Sequence, residues 1–246
     1  MPDANVRRSS GGRPRWDFSQ MAIRAILFDI DGTLVDSNDM HVLAWEQAFA
    51  DIDVRFDRQV VHDQIGKGTD MLVPSLLPDA DQAEQERLGK IQGDVFKSRF
   101  LHQVRPFAGA HDLLVHVANA GQKVVLASSA SQAELDHYLD LLDVRDLVSA
   151  TTSADDVEQT KPAPDIFAVA LEKVSPLKAD EALVVGDTPY DIEAAAKCGI
   201  AAVGLRSGGF SDQSLFEAGA IELYDDVASL LRGYNRSTLA AASVVG

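Results

Sequence analysis

Phe28-Asp29-Ile30-Asp31-Gly32-Thr33-Leu34 is the stretch from which the rest of the chain can be read. It follows the apolar run Ala25-Ile26-Leu27-Phe28, which predicts a buried strand over Ile23 to Phe28. Two carboxylates therefore stand where a hydrophobic strand stops. Asp29 and Asp31 share a side if extended geometry persists, because side chains alternate with period two. Like charges that close repel unless a cation lies between them or one is protonated. The pair is thus a candidate for a divalent cation, a nucleophile and a proton carrier. The plainer alternative is a polar turn with Asp31-Gly32 as a chain breaker.

Downstream, the pattern turns helical from Asn38, with His41, Ala44, Trp45 and Ala48 on one face. Helices are expected over Asp57 to Ile65, from Thr69 or Asp70 as a cap to near Pro78, and over Asp81 to Leu101 with Leu88, Ile91 and Val95 inward. The loop Gly66-Lys67-Gly68 interrupts them. From Pro106 the pattern alternates. Helices are expected over Gly109–Ala120, Ser131–Leu142, Pro164–Lys173, Pro189–Cys198, Ser211–Ala218 and Val227–Leu231. Strands are expected over Lys123–Ala127, Leu147–Thr152, Ala182–Val185, Ala201–Leu205 and Ile221–Leu223. Such alternation implies an α/β fold, a doubly wound, mostly parallel sheet covered on both faces. The expected organisation is a flexible leader at 1–20, a core domain of 21–36 and 105–234, an inserted all-helical cap domain at 37–104, and a loose tail at 235–246. Ligands in open parallel sheets bind beyond the carboxyl ends of the strands, so the insert is expected over that edge.

Composition narrows the function. The formal net charge of -16 over 246 residues argues against a nucleic-acid partner. An anionic substrate then needs a local attractor, such as a metal ion, a lysine or helix N-termini. The single cysteine, Cys198, excludes an internal disulfide and a cysteine zinc site, and reads as a small buried filler. No apolar run reaches the ~18 residues of a membrane span. The expectation is a cytoplasmic chain without membrane or nucleic-acid partners.

Polar groups recur at successive strand ends: Asp29 and Asp31, then Ser128 and Ser129, then Lys161 in Thr160-Lys161-Pro162, then Asp187 and Asp191 in Gly186-Asp187-Thr188-Pro189-Tyr190-Asp191. Capping, or for Lys161 a solvated loop, explains each of these singly but not all four together. With the cap insert, this ordered set resembles the haloacid dehalogenase superfamily in its phosphatase branch, in the group of phosphoglycolate phosphatase and beta-phosphoglucomutase. The resemblance spans Ile23 to about Leu231.

It implies Asp29 as nucleophile, forming an aspartyl-phosphate, and Asp31 as general acid and base. It implies Mg²⁺ as cofactor, held by Asp29, the backbone carbonyl of Asp31, and Asp187, with Asp191 in support. Lys161 would bridge Asp29 and the phosphoryl group, Ser128 would donate to a phosphate oxygen with Ser129 helping, and Gly32 would let the backbone approach. Asp31 argues against the carbon–halogen chemistry of the dehalogenases, which lack that aspartate. His41 and Lys67 are expected as substrate contacts from the cap, Trp45 as cap core, and Arg206 near the active edge. The expected partner is a small phosphorylated metabolite, a phosphoglycolate-like molecule or a sugar phosphate, and the expected state a monomer, with a dimer as alternative. A phosphomutase and a non-catalytic binding module are the competing functions. Cap closure is expected about hinges at Val35 to Asn38 and Val104 to Pro106.

Overall fold

The computed structural model describes residues 6–8, 14–16 and 22–240. Within the segment expected to be a flexible leader, β1 (Val6–Arg8) and β2 (Pro14–Trp16) pair antiparallel; the remainder of that leader lies outside the described residues. The chain then runs β3 (Ala25–Phe28), β4 (Val35–Asp36), α1 (Asn38–Ala50), α2 (Arg58–His62), α3 (Thr69–Leu76), α4 (Gln82–Val95) and β5 (Arg105–Pro106). It continues through α5 (Ala110–Asn119), β6 (Lys123–Ala127), α6 (Gln132–Leu142), β7 (Val148–Thr152), α7 (Asp165–Lys173), β8 (Ala182–Gly186), α8 (Pro189–Lys197), β9 (Ala201–Leu205), α9 (Asp212–Ala218), β10 (Glu222–Tyr224) and α10 (Val227–Gly233).

Six strands form one parallel sheet in the order β10-β9-β8-β3-β6-β7. β3 is central because it is apolar on both sides: all four of its residues are buried. Ile26 and Phe28 pack with α5, α6 and α10, while Ala25 and Leu27 face α7, α8 and α9. Each large side chain so buried contributes about 1.5–3 kcal/mol. After β7 the chain crosses to the other side of β3, so the order reverses at the β3–β8 crevice. That is where ligands of doubly wound sheets bind. Phe28 is in register with Leu126 and Val185, which brings the residues after β3, β6 and β8 to one edge.

Between β4 and β5 the chain is helical, around a separate core that includes Val42, Trp45, Phe49, Val61, Leu72 and Leu88. β4 and β5 pair antiparallel, and Phe107 N donates to Leu34 O at 2.9 Å. The segments leading into and out of the helical insert are thereby tied side by side.

Several local expectations change. α2 is only five residues long, N-capped by Asp57. α3 is capped by Gly68, because Asp70 turns away to the loop before α7. The long cap helix widens into a π turn at Phe96–Phe100 and a 3-10 turn at Leu101–Gln103, and of its expected inward residues only Leu88 is fully buried. Cys198 is half-buried rather than buried, its thiol 3.2 Å from Pro164 O. The start of the tail is docked, since Leu239 is buried in the core and its carbonyl accepts from Gln122 Nε2 at 2.7 Å. Residues 241–246 lie outside the described residues.

Candidate active site

At the carboxyl edge of the sheet, Asp29 follows β3, Lys161 lies in the loop before α7, and Asp187 and Asp191 flank the start of α8. All four are buried. Lys161 Nζ lies 2.5 Å from Asp29 Oδ1, 2.8 Å from Asp191 Oδ1 and 3.0 Å from Ala127 O. The contact to Asp191 Oδ1 is an ion pair lying off the hydrogen-bonding direction. Asp191 Oδ2 accepts from Thr188 N and Oγ1, which caps α8 and fixes the carboxylate. Asp187 accepts from Thr33 Oγ1 and Asn38 Nδ2, both at 2.9 Å. Gly32, at φ +74°, leaves room for this: a Cβ there would stand 2.1 Å from Asp187 Oδ2.

One oxygen from each of Asp29, Asp187 and Asp191 lies within 4.8 Å of the others. Three buried carboxylates face one lysine, so negative charge is left without compensation where water is scarce. Burial pushes Asp29 up to about 7; repulsion from Asp191 and Asp31 adds to this, and Lys161 opposes it. Burial, then Asp29 and Asp191, hold Asp187 well above the carboxylate range. Lys161 loses by burial but gains more from Asp191 and Asp29, and remains charged. An all-oxygen donor set with excess negative charge fits a hard divalent cation.

Asp31 belongs to a different cluster. Its Oδ1 takes hydrogen bonds from Ser37 Oγ at 2.6 Å and Tyr138 Oη at 2.7 Å, and lies 3.1 Å from His41 Nε2. Its Oδ2 is 3.4 Å from Ser128 Oγ. The Asp31 carboxylate thus stands outside the trio, and the group expected from Asp31 toward an ion is its backbone carbonyl. Burial works to raise Asp31, but the His41 imidazole and the hydrogen bonds from His41, Ser37 and Tyr138 hold it below the usual range. Burial works to lower His41, and Asp31 outweighs it, so the imidazole sits above its ordinary value. The His41 ring stacks on Phe96 at 3.8 Å, and its Nδ1 meets Gln92 Nε2 at 3.2 Å.

Asp29, Asp31, His41, Lys67, Ser128 and Ser129 all line one cavity of about 90 Å³ between sheet edge and helical insert. Trp45 lines it too while packing in the core of the insert. Ser129 Oγ donates to Gly66 O at 3.3 Å. Lys67 Nζ is turned onto Gln64 Oε1 at 2.6 Å, Ser75 Oγ at 3.0 Å and the Tyr190 ring. Arg206 is occupied elsewhere, paired with Asp212 and Asp225, and its neighbour Ser207 instead reaches the site by donating to Gly32 O. Sequence reasoning missed Thr33, Ser37, Asn38, Gln92, Glu134 and Tyr138. Tyr138 carried no polar signal, since it falls on the buried face of α6.

The chain belongs to the haloacid dehalogenase-like hydrolase family, whose model matches residues 26–205. It is 29% identical over 225 residues to a phosphoglycolate phosphatase of Rhodospirillum rubrum, covering 84% of this chain and 89% of that one. It is 25% identical over 186 residues to the fructose-1-phosphate phosphatase YqaB of Escherichia coli K12, covering 74% and 95%. A hydrolase from Pseudomonas syringae superposes with a TM-score of 0.81 at 31% identity, covering 87% of this chain and 98% of that one. Among the described residues, no helix is long and apolar enough to cross a membrane.

Proposed function

We propose that the protein is a Mg²⁺-dependent phosphatase that hydrolyses a small phosphate monoester through an aspartyl-phosphate on Asp29. One observation carries this reading: a buried lysine holds Asp29 at 2.5 Å while Asp31, two residues on, is held apart by Ser37, His41 and Tyr138. Two neighbouring carboxylates are thus placed in opposite surroundings, as nucleophile and proton carrier require. The named activities of the relatives from Rhodospirillum rubrum and Escherichia coli support the reaction class.

An oxygen of Asp29 attacks phosphorus and the ester P–O bond breaks. The departing alkoxide takes a proton from the Asp31–His41 pair, which holds one between its partners. Water then gives a proton back to the pair and attacks the aspartyl-phosphate. Its P–O bond to Asp29 breaks, releasing inorganic phosphate and the free carboxylate. Lys161 neutralises Asp29 from beneath, and Ser128 and Ser129 line the cavity where the phosphoryl oxygens would lie. Asp29, Asp187, Asp191 and the Asp31 carbonyl would hold Mg²⁺, which supplies positive charge to phosphoryl oxygens when bound. Both steps take place beneath the helical insert, which acts as the cap.

The contact between His41 and Asp31 across that boundary also suits a phosphomutase, which must keep water from its aspartyl-phosphate. Release of inorganic phosphate from a hexose 1-phosphate supports hydrolysis; conversion to the 6-phosphate without release supports the mutase. The primary test is phosphate release from a panel of esters, with and without Mg²⁺, by the wild type and Asp29→Asn. Turnover should need Mg²⁺ and vanish in the variant. Undiminished turnover by Asp29→Asn would sink the mechanism.

A further inference from the structure

The cavity over Asp29 opens into a second chamber of about 400 Å³, more than four times its volume, and Gly68, Thr69, Gln92, Ser129 and Glu134 line both. The phosphoryl group belongs over Asp29, so the rest of a substrate extends along this passage. The charges there are one-sided. Among the described residues, the outer chamber is lined by five carboxylates and two lysines, and Lys90 is already tied to Asp94 at 2.6 Å.

Glu134 stands at the junction and is only 8% exposed. Its Oε2 accepts from Ser131 N at 2.9 Å and Ser131 Oγ at 2.5 Å, closing the capping box of α6. Its Oε1 takes no hydrogen bond from the described residues, so an acceptor is left at the passage wall. The negative charge reaches inward to His41 and Tyr138, the partners of Asp31.

The start of α6 would otherwise be the natural seat for an anion. Here it is filled from within the chain: Asp155 Oδ2 takes Gln132 N at 2.8 Å, and Glu134 takes Ser131 N. Among the described residues, the one lysine lining the inner cavity, Lys67, is engaged by Gln64, Ser75 and the face of Tyr190. At the junction and in the inner cavity, a second anion on the substrate would therefore meet a buried carboxylate, a pre-empted helix terminus and an occupied lysine, while Lys97 lines only the outer chamber. Hydroxyl groups would meet an open carboxylate oxygen, with Thr69, Gln92 and Ser129 around them.

We propose that Glu134 makes the site selective for phosphate esters of neutral, hydroxylated leaving groups, sugars or polyols, over esters that carry a second anion. This rests on the phosphatase reading above. It separates the chain from the relative named for phosphoglycolate, whose leaving group bears a carboxylate.

The test uses 2-hydroxyethyl phosphate and 2-phosphoglycolate, which differ only in carrying CH₂OH or a carboxylate, with p-nitrophenyl phosphate as a general reporter. Wild-type kcat/KM should favour the hydroxylated ester at least about tenfold, the size expected for one like charge a few ångströms away. Glu134→Gln removes the charge but preserves a capping-box side chain. It should raise the ratio of phosphoglycolate to hydroxyethyl phosphate turnover about tenfold, and Glu134→Lys further. Reading a ratio cancels any general loss of activity, and a thermal melt confirms folding. An unchanged ratio in both folded variants, or a wild type that prefers phosphoglycolate, overturns the proposal while leaving the phosphatase reading intact. Failure to hydrolyse even p-nitrophenyl phosphate overturns both.

Discussion

The sheet edge and the helical cap reach the same cavity by different means. The edge brings chemistry from four chain segments that the parallel register forces together, and its groups are buried, charged and tied to one another. The cap adds few groups, and they act mostly by touching the edge. Gly68 N donates to Thr160 Oγ1 at 2.9 Å, and Asp70 accepts from Thr160 N at 2.9 Å and from its hydroxyl at 2.5 Å. Gly66 O accepts from Ser129, and Asp63 O accepts from the Tyr190 hydroxyl. Thr160, Ser129 and Tyr190 are immediate neighbours of Lys161, Ser128 and Asp191. The cap therefore docks on the loops that carry the chemistry, which predicts that closing it and aligning the site are one event.

This contrast can be broken most severely at the edge. Lys161→Met should leave turnover below detection and destabilise the fold by roughly 3–5 kcal/mol, because it leaves Asp29 and Asp191 unpaired in the interior. The loss should shrink at acid pH, where Asp29 is protonated. A variant whose denaturant midpoint matches the wild type at pH 8 would show that Lys161 does not offset the buried charge of Asp29 and Asp191.

Metal addition probes the same cluster with a smaller effect. In the metal-free chain Asp29 is raised to about 7 and Asp187 is raised as well. The folded state therefore holds more protons than the unfolded state above the ordinary carboxylate range, and its stability falls as pH rises toward 7. An ion needs those carboxylates ionised, so binding expels protons. The Mg²⁺-induced rise in Tm should be larger at pH 8 than at pH 6. Equal shifts would place the ion elsewhere.

The cap should answer most mildly. Asp70→Ala removes two hydrogen bonds to Thr160, each worth about 0.5–1.5 kcal/mol. If closure and alignment are one event, KM should rise roughly three- to tenfold with little change in Tm. A fall in kcat with KM unchanged would mean that the clasp positions Lys161 rather than the cap.

Legibility in the sequence followed the same division. Asp29 and Asp187 could be found because each breaks an apolar run at a strand end, where a charge needs a reason, and Lys161 and Asp191 because they sit in the loop and turn motifs that follow the next strands. Tyr138 and Glu134 could not be found this way. Tyr138 looks like one more core residue, and Glu134 like an ordinary capping-box acid, until packing places α6 against Asp31 and the cavity. Asp70 looked like a helix cap, yet Gly68 holds the N-cap position and the Asp70 carboxylate crosses to Thr160.

The sequence by itself determined the parallel sheet, the helical insert after β3 and the carboxylates at the strand ends, because continuous apolar runs and helical apolar patterns are local signals. Tertiary structure alone decided how those carboxylates differ. Asp29 sits against a buried lysine and two acids, while Asp31, two residues on, sits against a histidine, a serine and a tyrosine. Burial and neighbouring charge set what a carboxylate can do, and both come from segments up to 162 residues away, as Asp191 does for Asp29.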